Sequence, residues 1–128
     1  MSYYFSKTLS MPFEAAIDRV TEELKKEGFG VLTQIDVKQT MKEKLGEDFR
    51  DYRILGACNP RFAYKALSTE DKIGTMLPCN VIVQDIGGGE VEAAAVDPQA
   101  SMASVDNPDL EAVAGEVRSR ISRVIRSL

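Results

Sequence analysis

Apolar residues recur along this chain at two spacings, and the switches between them mark out nine elements. Residues 3–10, rich in Tyr, Phe and Thr, read as a first strand, and Pro12 suits the opening turn of a helix. Phe13, Ile17, Val20 and Leu24 follow at helical spacing among Glu14, Asp18, Glu22, Glu23, Lys25 and Lys26, which predicts an amphipathic helix closed by Gly28. From Phe29 the period drops to two. Phe29, Val31, Thr33, Ile35 and Val37 share one face of a second strand, the face expected to be buried.

Residues 38–46 carry helix-favouring Lys, Gln, Met, Glu and Leu before Gly46 and read as a short connecting helix. A third strand is expected over 51–58, after which Asn59-Pro60 matches a helix cap followed by Pro at the first helical position. Residues 79–86 are apolar on both faces, Val81 and Val83 on one and Ile82 and Ile86 on the other, as in a central strand. Gly87-Gly88-Gly89 then predicts a tight hairpin into a fifth strand carrying Val91, Ala93 and Ala95. Asn107-Pro108 opens the last helix. On it Val117, Ile121, Val124, Ile125 and Leu128 fall within about a 100° arc, with Arg118, Arg120, Arg123 and Arg126 around the remainder.

The economical assembly of these elements is an α+β two-layer sandwich: a mostly antiparallel five-stranded sheet with two long helices on one face. At 128 residues, with 44% hydrophobic and 28% charged positions, the chain fits a single domain over residues 1–128 with a core of its own. A formal net charge of −4 offers no general attraction to nucleic acid, and no apolar stretch approaches the ~20 residues of a membrane helix. The first residues lack the pattern of an export signal, so the cytoplasm is the expected location and the thiols are expected to be reduced.

Chemistry concentrates at two Cys-Asn dipeptides, Cys58-Asn59-Pro60 and Pro78-Cys79-Asn80, in a chain with two cysteines and no histidine. If strands 51–58 and 79–86 are antiparallel neighbours, the two cysteines meet at one edge of the sheet. Asn59 would cap the helix after Cys58, and a thiol near a helix N-terminus can ionise more easily. Packing of the cysteines as small hydrophobes outweighs a redox or nucleophilic role, and zinc is a third choice because two thiols supply half of the usual four ligands. Without histidine, Ser-His-Asp and Cys-His mechanisms are excluded and any general acid or base must be Asp, Glu, Lys, Tyr or Cys; Asp36, Asp85 and Asp97 in or beside strands are the better candidates, each also explained by an exposed strand face or a turn. Tyr52 and Tyr64 are candidate pocket linings.

Particular segments carry a family likeness. Glu27-Gly28-Phe29-Gly30-Val31-Leu32-Thr33-Gln34-Ile35-Asp36-Val37-Lys38, the segment from Lys44 through Asp51-Tyr52-Arg53-Ile54-Leu55-Gly56-Ala57-Cys58-Asn59-Pro60, Ile73-Gly74-Thr75-Met76-Leu77-Pro78-Cys79-Asn80-Val81, and Ala95-Val96-Asp97-Pro98 closely resemble the bacterial and archaeal family of domain of unknown function 302. The resemblance implies a two-layer fold similar to that of the TATA-binding protein, often paired as a homodimer. It brings no established activity, so the functional reading returns to the residues.

That reading is a small homodimeric ligand-binding or accessory protein whose site is formed by Cys58, Asn59, Pro60, Cys79 and Asn80, with an unidentified small molecule and no cofactor, metal, nucleic acid or membrane. Pro60 and Pro78 fix the backbone there, and each Asn offers donors and acceptors. Two alternatives stand beside it: a thiol-dependent redox protein or enzyme using Cys58 and Cys79, and a structural subunit with no site.

Overall fold

A computed structural model describes residues 2–128. Strand β1 (Tyr4–Leu9) leads into α1 (Phe13–Lys26), β2 (Gly30–Asp36), α2 (Val37–Leu45), β3 (Tyr52–Cys58) and α3 (Pro60–Thr69). A 3₁₀ turn (Asp71–Met76) precedes β4 (Cys79–Gly87), β5 (Glu90–Val96), the short α4 (Pro98–Ser101) and α5 (Pro108–Arg126). The five strands form one sheet in the order β1-β5-β4-β3-β2, with every neighbouring pair antiparallel. The α+β architecture expected from the periodicity is therefore the observed one, with β4 at the centre.

Helices α1 and α5 lie on one side of the sheet. Ala16, Ile17, Val20 and Leu24 of α1 and Val117, Ile121, Val124 and Ile125 of α5 join Leu55, Ala57, Val81, Val83, Val91, Ala93 and Ala95 in one buried apolar cluster. Small side chains on β5 let the helices close on the sheet, and each fully buried large aliphatic contributes about 1.5–3 kcal/mol of transfer free energy. A smaller cluster of Ala66, Ile73 and Leu110 forms under α3. Helix α5 starts as its sequence indicates: the Asn107 side chain accepts from the Asp109 amide, Pro108 occupies the first turn, and Arg123 and Arg126 sit in the last. At the β4–β5 hairpin Gly88 and Gly89 have φ of 66° and 79°, the left-handed pair that a two-residue turn of this hand needs.

Strand β2 departs from its expected pattern. The pairing with β3 slips between Val31 and Thr33: Val31 lies opposite Ala57, and Thr33 lies opposite Gly56. The extra residue, Leu32, reverses the phase of alternation, so Val31 is on the helix side while Thr33 and Ile35 face the bare side. Ile35 is accordingly 49% exposed rather than buried.

On the bare side of β3, Gly56 lies under Thr33 and Pro78. A Cβ there would stand 2.2 Å from Thr33 Oγ1 and 2.8 Å from Pro78 Cγ, so both side chains close over a position that has room for hydrogen alone. Gly56→Ala is expected to lower unfolding stability by roughly 1–3 kcal/mol in urea titrations, the usual range for overpacking. Adding Thr33→Ala should recover part of that loss, and an unchanged Gly56→Ala stability would refute the close contact.

Candidate functional site

Between the two apolar clusters lies a cavity of about 300 Å³. Its floor is Ala57 and Cys58 at the end of β3 and Cys79 at the start of β4; its roof is α3, through Phe62, Ala63, Ala66 and Leu67. Leu77 and Pro78 close one side and Val113, Ala114 and Val117 of α5 another, with the bulged Leu32 at the border. Helical spacing explains the α3 contribution, because positions 59, 62, 63, 66 and 67 share one face. Almost every lining group is apolar, and the two thiols and Asn59 are the exceptions.

The expected site residues divide among different surroundings. Strands β3 and β4 are antiparallel neighbours, but their register sets Cys79 opposite Ala57, while Cys58 lies opposite Gly30 of β2. The cysteines are thus offset by one residue rather than cross-strand partners. Both are free thiols, Cys79 buried and Cys58 half-buried, and both border the cavity. Asn59 borders it too. Pro60 lies beside an adjoining groove. Asn80 does not join them: pleat alternation turns it to the bare face, where it borders a shallow depression with Tyr3, Tyr4 and Tyr52. Tyr64 is 73% exposed and borders neither space.

Asn59 precedes α3 without capping it. Its Nδ2 instead donates to the Glu27 carbonyl at 3.3 Å. Arg120 donates to the same carbonyl at 3.2 Å, and Arg123 grips the Glu27 carboxylate at 3.0 Å. This corner ties the end of α1 to α3 and α5, and nothing in local periodicity announces it, because Glu27 is far from its partners in sequence. Arg120 and Arg123 of α5 are thus engaged, and Arg118 likewise donates to Asp97 at 3.1 Å.

Beside the corner, a groove of about 840 Å³ runs between α3 and α5, bordered by Arg61, Lys65, Arg120 and Glu116. One sequence signal could have found it: α3 carries two exposed cations and no acidic residue.

The candidate carboxylates have structural partners. Asp36 accepts from the Gln39 amide at the start of α2, Asp85 from the Gly87 amide, and Asp97 from the Gln99 amide as well as from Arg118. Burial and the neighbouring Cys58 push the Cys79 thiol up from its ordinary 9.0 to about 11, so at neutral pH it is a neutral thiol and a poor nucleophile. Among the described residues no group of three or more His, Cys, Asp and Glu side chains could hold a metal ion, and no helix is long and apolar enough to cross a membrane.

Against known proteins, the model of the family described as domain of unknown function DUF302 matches residues 5–128. Among solved structures, an uncharacterized conserved protein DUF302 from Bacillus stearothermophilus is 29% identical, with a TM-score of 0.90 over 98% of either chain. No curated protein matches the chain.

The raised Cys79 value has a consequence for stability. In the unfolded chain this thiol ionises near its ordinary value, whereas the folded protein holds the proton to about 11. Its contribution is complete below pH 9 and is lost as pH rises through 11, where a shift of this size amounts to roughly 2–3 kcal/mol. Urea titrations between pH 8 and 11 should show this decline, and Cys79→Ala should flatten it; an equal slope in the variant would refute the assignment.

Proposed function

Because this chain belongs to the DUF302 family, a small domain of unknown function, its role has to be read from its own side chains, and we propose that it binds a small apolar ligand in the cavity beneath α3, as a pair of identical chains. The observation that carries the reading is the cavity of about 300 Å³ between two separately packed clusters, lined almost wholly by apolar residues. That volume is at the lower end of ligand pockets, which suits a short alkyl or single-ring compound better than a large cofactor. Of the residues expected at the site, Cys58, Asn59 and Cys79 border the ligand in this reading, Pro60 fixes the start of the roof, and Asn80 belongs to the opposite face. The thiols act as soft, compact lining groups; the neutral state of Cys79 supports this over a redox pair.

Pairing is proposed through the bare sheet face. Register aligns Ala94, Ile82, Ile54 and Ile35 in one row across four strands, an apolar stripe on the side of the sheet opposite α1 and α5. Five strands ~4.8 Å apart and six to nine residues long give a footprint of roughly 500 Å² in projection. A standard interface covers ~800 Å² per partner, and the occupant proposed for this face is a second copy of it.

Two measurements test these readings. Calorimetric titration with hexanol, heptanol and octanol should show affinity rising about fourfold per added methylene, as expected for ~0.8 kcal/mol per buried CH₂. Ala63→Phe, which fills the cavity, should abolish binding; a flat series or an unaffected variant overturns the ligand reading. Sedimentation should give a dimer that Ile82→Lys converts to a monomer, and a native monomer at micromolar concentration overturns the pairing.

A further inference from the structure

The cavity and a cationic groove share a border. Asn59, Phe62 and Val113 line both spaces. On α3 the residues facing the cavity and those facing the groove fall on adjacent arcs: Ala63, Ala66 and Leu67 on one, Arg61 and Lys65 on the other, with Phe62 at the boundary. Charge therefore begins where the apolar lining ends. Lys65 Nζ lies 5.9 Å and the Arg120 guanidinium 5.3 Å from the centre of the Phe62 ring.

The cations at this boundary are not equivalent. Arg120 is held by Glu116 at 3.2 Å and by the Glu27 carbonyl, and Arg123 is held by Glu27. Arg61 and Lys65 have no carboxylate partner among the described residues, in a chain whose formal net charge is −4. The first-turn amides of α3, which Asn59 leaves uncapped, add partial charge of the same sign. Glu116 is the one acid bordering the groove, and it is already paired.

We infer that the ligand of the cavity is a single-chain amphiphile with an anionic head, its alkyl body beneath α3 and its head group on Arg61 and Lys65. This rests on the small-ligand reading and adds the ligand's charge and direction. An apolar lining cannot satisfy a polar head, so the head has to leave the cavity, and the line of Asn59, Phe62 and Val113 is where polar surface adjoins it. From Asn59 to Leu67 the roof runs ~12 Å along the α3 axis, which gives the alkyl body its length. A cationic head would meet repulsion at the same place, and a neutral head would leave the two cations unpaired.

The test is calorimetric titration of the full chain at low ionic strength with octanoate, octanol, octylammonium and inorganic phosphate. Octanoate should bind roughly tenfold more tightly than octanol, with octylammonium weaker than both and phosphate weaker than octanoate. The advantage of octanoate should shrink in about 0.5 M NaCl. It should also disappear in the double variant Arg61→Gln, Lys65→Gln, which keeps the octanol affinity. Equal binding of octanoate and octanol, a preference that survives in the double variant, or phosphate binding as tight as octanoate overturns the head-group assignment while octanol binding leaves the cavity reading standing. If no alkyl probe binds, both fall.

Discussion

The alternation of side chains from Cys79 to Gln84 along β4 decides which residues each side of the sheet carries. Cys79, Val81 and Val83 point to the helices, and Asn80, Ile82 and Gln84 point away. Because β4 is central, its register transmits that choice outward: Ala57, Leu55, Ala95 and Ala93 follow to the covered side, and Gly56, Ile54 and Ala94 to the bare one. A slip of one residue would drive Asn80 and Gln84 under α1 and α5, where each amide would need hydrogen-bond partners that the aliphatic helix faces do not carry. The cavity and the bare face are two products of one constraint.

A cavity forms on the covered side because the connection from β3 to β4 is long. Antiparallel neighbours can be joined by a two-residue turn, but here residues 59–78 intervene and fold into α3 and the 3₁₀ turn. That excursion brings its own core, Ala66 and Ile73 against Leu110 of α5, and its Phe62 packs against the main cluster, while Val113 of α5 packs against both. Protein interiors are ordinarily filled to the density of organic crystals. Among the positions facing the gap, Ala57, Ala63, Ala66, Gly74 and Ala114 are too small to fill it. Rigid elements with small side chains facing inward keep such a space open.

Period and punctuation made the architecture legible in the sequence. The apolar arc of α5, the Asn107-Pro108 start and the triple glycine each act within a few residues, and each appears where its local chemistry requires. The face of β2 was not legible, because a bulge at Leu32 leaves no mark in composition yet inverts the residues after it. Cys58 and Cys79 do meet at one end of the sheet, as neighbouring antiparallel strands imply, but register is fixed by the neighbours' side chains and offsets them by one residue. Asn59-Pro60 read as a cap. The same side chain found a stronger demand in the Glu27 carbonyl, an acceptor separated from it by more than thirty positions.

The Glu27 corner also explains how an acidic chain presents a cationic edge. Exposed ion pairs contribute little stability one at a time, about 0–1 kcal/mol, so this cluster matters less as glue than as bookkeeping of charge. Glu27 and Glu116, which stand beside Arg120, are taken up by Arg120 and Arg123. Asn59 is spent on the Glu27 carbonyl rather than on the helix start. What remains at the rim is Arg61 and Lys65, on a helix without acids of its own. A net charge of −4 averages over the whole surface, whereas a ligand at this edge meets a field set by the few side chains within a Debye length, and there the sign is reversed.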